Sequence, residues 1–433
     1  MGRTRGVVLL GILLGSICLL AVLSCAGGVS SSTPPAPGMG SGGGSGSGGG
    51  SGSGGGSGGG SGSGGSGGSG GGSGGSGGGG NPASASKFIY GGPDFETGSI
   101  QAGTLNSSTG AVSPVAGSPF SENMGESNLL QVAATPQGRF IYVLNVAAFG
   151  AGQQIGSAGI CGFAINQQTG ALSLVPGSPL VFSNSNDNFM AVDNTGHFLL
   201  EPNAAANSGS STGFDVYSID QSSGALTRTA STSNAPPVGP FTISSPLNPL
   251  IFNAGNGLVA VFSIASNTGQ LTIVSGTPTS TGGSAGPMAA SADGKFLYVA
   301  NQMEGTLSVF TIASSGMLTP LRGSTFTIDN GAQHLELTPD GKFLYIASVT
   351  QAGNQTVKGY AVNPAAGTFA PVAGAVVNNV TSVTVDLSGK FAYISSPGNL
   401  TIYGIDANTG SLTQLSQTSA PSSDNPNDMV TAR

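Results

Sequence analysis

A seven-bladed β-propeller, all-β and closed by its own C-terminal strand, is the fold that this sequence predicts. Three observations predict it. An aromatic-apolar strand recurs seven times, a glycine turn recurs seven times, and the two ends of the β-rich region each supply part of one blade.

The recurring strand reads "KFIY" at Lys87, "GRFIYVLN" at Arg139, "GHFLLEPN" at His197 and a degenerate "NPLIFNAG" near Pro249. It returns as "GKFLYVAN" at Lys295, "GKFLYIAS" at Lys342 and "GKFAYISS" at Lys390. Successive copies stand 46 to 58 residues apart, which is room for four strands and their turns. The glycine turn reads "NSSTGAV" ending at Val112, "NQQTGAL" at Leu172, "DQSSGAL" at Leu226 and "SNTGQL" at Leu271. Three more copies are "ASSGML" at Leu318, "NPAAGTF" at Phe369 and "DANTGSL" at Leu412. Glycine at one fixed place suits a hairpin in which one residue needs positive φ, where a β-branched or aromatic side chain would be strained.

Each blade can be written from these anchors. Its first strand is a short apolar run such as "HLELT" or "SVTVD", and its second is the recurring strand. Its third alternates with period two, as in "TLSVFTI", and its fourth follows the glycine turn. The first strand lines the axis and the fourth forms the rim. The β region opens at "KFIY", a second strand, so the first blade lacks its first strand. The segment "NDMVTAR", Asn427 to Arg433, resembles "NDNFMAV", Asn186 to Val192, and is expected to supply it. Closure also removes an open sheet edge.

The propeller is expected over residues 82–433, with two segments ahead of it. Residues 1–25 carry Arg3 and Arg5, the apolar run "GVVLLGILLGSICLLAVL" and then Val22-Leu23-Ser24-Cys25. This is the pattern of a signal peptide. "VLSC" resembles a bacterial lipobox, which makes Cys25 the lipidated first residue of the mature chain. Cys18 lies inside the apolar run. Residues 26–81 are almost pure Gly and Ser after a brief "TPPAP". Such a segment buries too little apolar surface to fold and is expected to be a disordered tether, with a mean span of roughly 40 Å. The expected location is the bacterial cell envelope, lipid-anchored and extracytoplasmic, at the outer membrane or cell surface. The expected partners are the membrane, through the lipid, and a ligand on the propeller.

Loss of the signal removes Arg3 and Arg5 from the 11 basic residues and none of the 18 acidic ones, leaving a net charge of −9. An acidic domain with scattered lysines has no electrostatic footprint for nucleic acid. With Cys25 acylated, Cys161 has no partner for an intramolecular disulfide and reads as a small apolar strand residue. No cofactor or metal is expected. No metal-ligand cluster, phosphate loop or Ser-His-Asp arrangement can be read in the chain. "GSGGGSG" matches phosphate-loop patterns only by composition, since no strand precedes it.

Loop lengths separate two faces. The turns "PDGK", "PQGR", "NTGH" and "LSGK" are short and uniform, like the glycine turns, and share one face. The other face carries loops of uneven length, such as "NVAAFGAGQQIGSAGI", "EPNAAANSGSSTG" and "GGPDFETGSI" against the brief "SPGN". Variable loops on a rigid scaffold are where binding is usually placed. Lys87, Arg139, Lys295, Lys342, Lys390 and His197 all sit at the regular turn and read as solvated turn residues. His334, in "DNGAQHLELT", stands where a blade-to-blade loop enters an axial strand. Asn301, Gln302 and Glu304 lie in "NQMEGTLSVF", and Glu201 and Asn203 in "LLEPN", on corresponding loops. These residues suit a ligand site; each taken singly is better suited to a loop cap around a water-filled channel.

"GAQHLELTPDGKFLYIAS", "MAASADGKFLYVANQMEGTLSVFTI" and "FAINQQTGALSLVPGSP" resemble the lactonase-type seven-bladed propellers, the 6-phosphogluconolactonase group. The resemblance runs over about residues 82 to 433. It implies an Arg-His pair in the stretch matching "AQHLELTPDG" and an Asn-Glu pair in the stretch matching "VANQ". This chain keeps His334 and Asn301 but has Gln333 and Gln302 in place of the charged partners. Lactone hydrolysis needs a base and a group for the carbonyl oxyanion, and a phosphorylated substrate needs cations. Outside the regular face only Arg228, Arg322, Lys358 and Arg433 are expected, none in a matching motif. Two readings follow. One is a ligand- or partner-binding propeller with a degenerate lactonase site. The other is a hydrolase of an unphosphorylated sugar or acyl lactone, with His334 as base and Gln333, Asn301, Gln302, Glu304, Glu201 and Asn203 as ligand contacts.

Overall fold

The computed structural model describes residues 87–91, 98–124, 127–150, 153–155, 158–182, 189–204, 211–232, 239–349, 353–363, 368–380, 382–396, 399–418 and 429–433. The signal peptide, Cys25 and the Gly/Ser tether lie outside the described residues.

Seven antiparallel sheets follow one another along the chain. Blade 6 shows the plan. Its strands, from inside outward, are Ala332–Leu337, Phe343–Val349, Gln355–Asn363 and Thr368–Asn378. The inner strands of the seven blades are Met429–Ala432, Ser127–Ala134, Ala191–Val192, Phe241–Ser244, Ala285–Ala290, Ala332–Leu337 and Ser382–Val385. Each touches the next in a closed circuit, which defines a central channel. The ring closes as the sequence implies. Met429–Ala432 pairs antiparallel with Phe88–Gly91, with Phe88 opposite Ala432 and Gly91 opposite Met429. Asn427 and Asp428 lie outside the described residues.

The two recurring motifs meet at the seams between blades. In the turn of blade 2, the Asn166 side chain accepts from the amides of Gln168 and Thr169, and Gly170 N donates to Asn166 O at 2.8 Å. Gly170 takes φ +75°. A Cβ there would stand 2.4 Å from Phe88 of blade 1. Tyr90, two residues further along that strand, donates its hydroxyl to Gly170 O at 3.0 Å. The arrangement repeats with Gly224 under Phe140 and Tyr142, and with Gly410 under Phe343 and Tyr345, where both hydroxyl bonds are 2.8 Å. The glycine is thus held twice, by φ and by the aromatic ring of the preceding blade. Three of these tyrosines, Tyr90, Tyr142 and Tyr345, are wholly buried, and burial raises their pKa because the phenolate would lose its water.

Antiparallel pairing puts the regular turns on one face. Lys87, Arg139, His197, Lys295, Lys342 and Lys390 are exposed there. Lys295 and Lys342 pair with Asp293 and Asp340 of their own turns at 3.3 and 3.2 Å. Arg433 belongs with them, contrary to the expectation. The closing strand ends at the regular face, and the backbone of Arg433 lies against Gly138 in the blade 2 turn.

Candidate functional site

His334 lies on the inner strand of blade 6, at its irregular-face end. A β-bulge there sets Ala332 opposite Ser348 and His334 opposite Ala347, leaving Gln333 as the extra residue. A bulge bends the strand and re-aims its side chains. Inner strands of blades 2 and 5 shift register at the corresponding end, between Leu129 and Gln131 and between Ala285 and Met288.

The strand alternates. Leu335 packs into the core between blades, while His334 and Glu336 turn to the other side with about a quarter of each side chain open, 26% and 25%. Their Nε2 and Oε2 stand 3.8 Å apart. Glu336 Oε1 accepts from Val385 N in the inner strand of blade 7 at 3.1 Å, and the Thr384 hydroxyl also bonds the carboxyl. The pair therefore bridges the seam between blades 6 and 7 on the channel wall. Gln131, at the ladder position of His334, also bridges its seam, from blade 2 to blade 3, accepting from Met190 N at 2.7 Å.

Burial favours the neutral form of both groups. Burial pushes the Glu336 carboxyl up to about 7, against the hydrogen bonds from Val385 and Thr384. Burial pulls the His334 imidazole down to about 4, against a hydrogen bond with the Val383 backbone. The open quarter of each side chain lets channel water soften both shifts, and their directions stand.

Glu336 is the residue that sequence reasoning passed over. Its signal was the spacing in "HLELT", since residues two apart share one face of a strand. The other expected contacts divide. Gln302 reaches the rim beside His334, where its Nε2 donates to Ala332 O at 2.7 Å and its carbonyl accepts from Gly331 N at 2.7 Å. Asn301 is buried within blade 5, donating to Thr306 and Ser308 hydroxyls at 2.9 Å each. Glu304 accepts from Ser284 N at 2.7 Å and caps the loop entering blade 5. Glu201 is buried in blade 3, with its charge acting on Tyr217 and Arg228, three blades away from His334. The Asn203 side chain lies outside what the structure describes.

Two of the expected cations are already matched. Lys358 Nζ bonds Asp329 at 2.7 Å, and Arg228 is paired with Asp215. The Arg322 side chain lies outside what the structure describes. Among the described residues no group of three His, Cys, Asp or Glu side chains could hold a metal ion. Cys161 is buried, donates to Glu122 O at 2.9 Å, and burial pushes its thiol up to about 12. That excludes a thiolate nucleophile near neutral pH.

Residues 250–430 match the family described as lactonase, 7-bladed beta-propeller. No curated protein matches the chain. Among solved structures, the periplasmic gluconolactonase PpgL of Pseudomonas aeruginosa superposes with a TM-score of 0.61 at 19% identity, over 81% of this chain and 99% of its own. A Bacteroides fragilis protein described as a candidate 6-phosphogluconolactonase gives 0.60 at 20% identity, over 82% and 99%. A Bacteroides uniformis protein described in the same way gives 0.61 at 18%, over 79% and 98%. At these identities the likeness establishes the fold and leaves the chemistry to the site.

Proposed function

Starting from a chain that is a lactonase-type seven-bladed β-propeller, we propose that it is an envelope-anchored lipoprotein whose propeller binds a ligand on its irregular face. Its lactonase-like site is degenerate. The observation that carries this reading is the spending of the motif residues. Asn301, Gln302 and Glu304 hold loops and seams together, and Lys358 and Arg228 are neutralised by Asp329 and Asp215. A phosphorylated sugar acid would meet no cation among these groups. Loss of one oxyanion donor alone typically costs ~10²–10³ in rate.

The test is lactone ring opening by the full chain, followed with a pH indicator and corrected for spontaneous hydrolysis. Turnover of 6-phosphogluconolactone is expected to stay at the spontaneous rate. Robust turnover would overturn the degenerate-site reading. A second reading, hydrolysis of an unphosphorylated sugar or acyl lactone, is favoured by the pairing of His334 with Glu336 at 3.8 Å. On that reading His334→Ala abolishes turnover of the unphosphorylated lactone while the melting temperature holds.

A further inference from the structure

Resting on the envelope-anchored reading above, we propose that the regular face of blades 7, 1 and 2 docks on an anionic lipid surface. The irregular face then points away from the membrane that holds the chain.

The regular turns are unequal in charge. In blades 5 and 6 the residue two before the cation is Asp293 or Asp340, and each pairs with Lys295 or Lys342 of its own turn. Blades 2, 3 and 7 place Gln137, Thr195 and Ser388 there. Among the described residues, Lys87, Arg139, Lys390 and Arg433 have no ionic partner, and all four are exposed.

These four stand side by side. Lys87 N donates to Ala432 O at 2.8 Å, which sets Lys87 across the ladder from Arg433. Arg433 N would stand 3.0 Å from a Cβ on Gly138, the residue before Arg139. Lys390 follows on blade 7, whose inner strand touches Met429–Ala432. Blades 1 and 2 bring no acidic side chain to this face among the described residues, since their glycine turns open with Asn106 and Asn166. Asp386 is buried behind Lys390, accepting from the amides of Lys390 and Phe391. Asp406 sits in the blade 7 glycine turn, which leans on Phe343 of blade 6, away from blade 1. Asp220 marks the other edge of the patch, in blade 3. Setting a carboxylate on Arg433 against its guanidinium still leaves Lys87, Arg139 and Lys390.

A second observation says what covers the patch. The described propeller begins at Lys87, inside it. The segment leading from Cys25 therefore meets the propeller on this face, and a mean span of roughly 40 Å keeps the lipid within reach. The acidic excess of the chain does not oppose the contact. A seven-residue strand such as Thr306–Ile312 is about 23 Å long, whereas charges are screened beyond about 8 Å at physiological ionic strength. Glu304, Asp329 and Glu336 at the irregular end are thus out of range of a surface at the regular end. Headgroup phosphates offer a plane of fixed negative charge and acceptors for lysine and arginine.

The chain has no tryptophan, so one introduced indole reports its own position. Ser107→Trp marks the regular face in the exposed glycine turn of blade 1, and Met303→Trp the irregular face in an exposed loop of blade 5. The membrane-extracted full chain is placed in vesicles of phosphatidylcholine, alone or mixed with phosphatidylglycerol, that carry a dansyl lipid as energy acceptor. In mixed vesicles, transfer is expected to be greater from Ser107→Trp than from Met303→Trp. The difference should shrink in phosphatidylcholine alone and at raised salt, to what the point of attachment imposes. It should shrink equally when Lys87→Gln, Arg139→Gln and Lys390→Gln are combined, because the docked-to-free ratio falls about a hundredfold at about fivefold per cation. Combining Lys87→Arg, Arg139→Lys and Lys390→Arg keeps the charges and is expected to keep the difference, which separates charge from folding. Equal transfer from the two positions in mixed vesicles overturns docking. So does a difference of the same size in both vesicles or in the neutral variant. Chain without lipid on Cys25 refutes the anchored reading by itself. If that chain floats with mixed vesicles alone, docking stands; if it floats with neither, both fall.

Discussion

Gly224→Ala separates the two demands that the structure makes on the turn glycines. Gly224 has φ +76°, and its added Cβ would stand 2.5 Å from Phe140 Cδ1 and 2.8 Å from Val175 Cγ1. Gly177 has φ +80° and nothing within 4 Å of the same built atom. Left-handed backbone costs a non-glycine residue about 1–2 kcal/mol, and both substitutions incur it. Forcing a methyl into packed side chains adds typically about 1–3 kcal/mol, and only Gly224→Ala incurs that. Phe140 is a core residue sealed by its neighbours, so the ring cannot swing into solvent to relieve the contact. The expected order of stability is native, then Gly177→Ala, then Gly224→Ala, with a gap of about 1–3 kcal/mol between the variants. Urea unfolding followed by circular dichroism reads the midpoints. Coincident midpoints for the two variants would refute the claim that the glycine is kept for the blade seam as well as for its φ.

The remaining expectations are brief. Tyr142→Phe removes the 2.8 Å bond to Gly224 O and should cost about 1 kcal/mol, with no cost if that carbonyl finds another donor. Deletion of Met429–Arg433 takes away the partner of Phe88–Gly91 and should lower the melting temperature of the whole ring; an unchanged value would mark the terminus as a loose tail. Glu122 is fully buried and burial pushes its carboxyl up to about 7 from 4.5, so its contribution is complete below about pH 4.5 and is lost as pH rises through 7. Relative to native, Glu122→Gln should therefore gain stability from pH 5 to pH 8, by at most about 3 kcal/mol, and a pH-independent difference would contradict this. Mass spectrometry of membrane-extracted protein should find an acylated N-terminal Cys25, and an unmodified terminus elsewhere would refute lipidation.

The fold was legible because its signals are local and repeated. The "KFLY" strand, the glycine turn and the split first blade each follow from short-range chemistry, and seven copies fix their period. The site was legible only in part. His334 could be placed from its strand, but the fates of Asn301, Gln302 and Glu304 depend on which neighbour lies within hydrogen-bond reach. A single loop sequence does not say that Glu304 will cap Ser284, or that Gln302 will reach across to Ala332. Arg433 was misplaced because strand direction at the closure decides its face, and that direction depends on pairing with Phe88–Gly91. Glu336 went unremarked because the resemblance drew attention to His334 and its immediate neighbour, whereas side-chain alternation pairs residues two apart.

Three blades carry a further repeat that ties polar groups near the irregular face, among the described residues, into the scaffold. Cys161, Ser308 and Lys358 occupy one ladder position, opposite Val143, Val299 and Ile346, each the third residue after the strand's opening Phe. Each reaches the strap that enters its own blade. Cys161 donates to Glu122 O, Ser308 to Thr281 O at 2.7 Å, and Lys358 to the Asp329 carboxylate. A thiol, a hydroxyl and an ammonium thus perform one task, tying the third strand to the incoming strap. In blade 5 the tie extends inward, since Asn301 donates to Ser308 Oγ. Such ties need donors at that position and leave the chemical type free, which is why the sequence there looks irregular while the geometry repeats. In these three blades the polar residue at that position is consequently consumed in holding the strap. Among the described residues, His334 and Glu336 stand apart from these ties, on an inner strand that faces the channel, with part of their surface open.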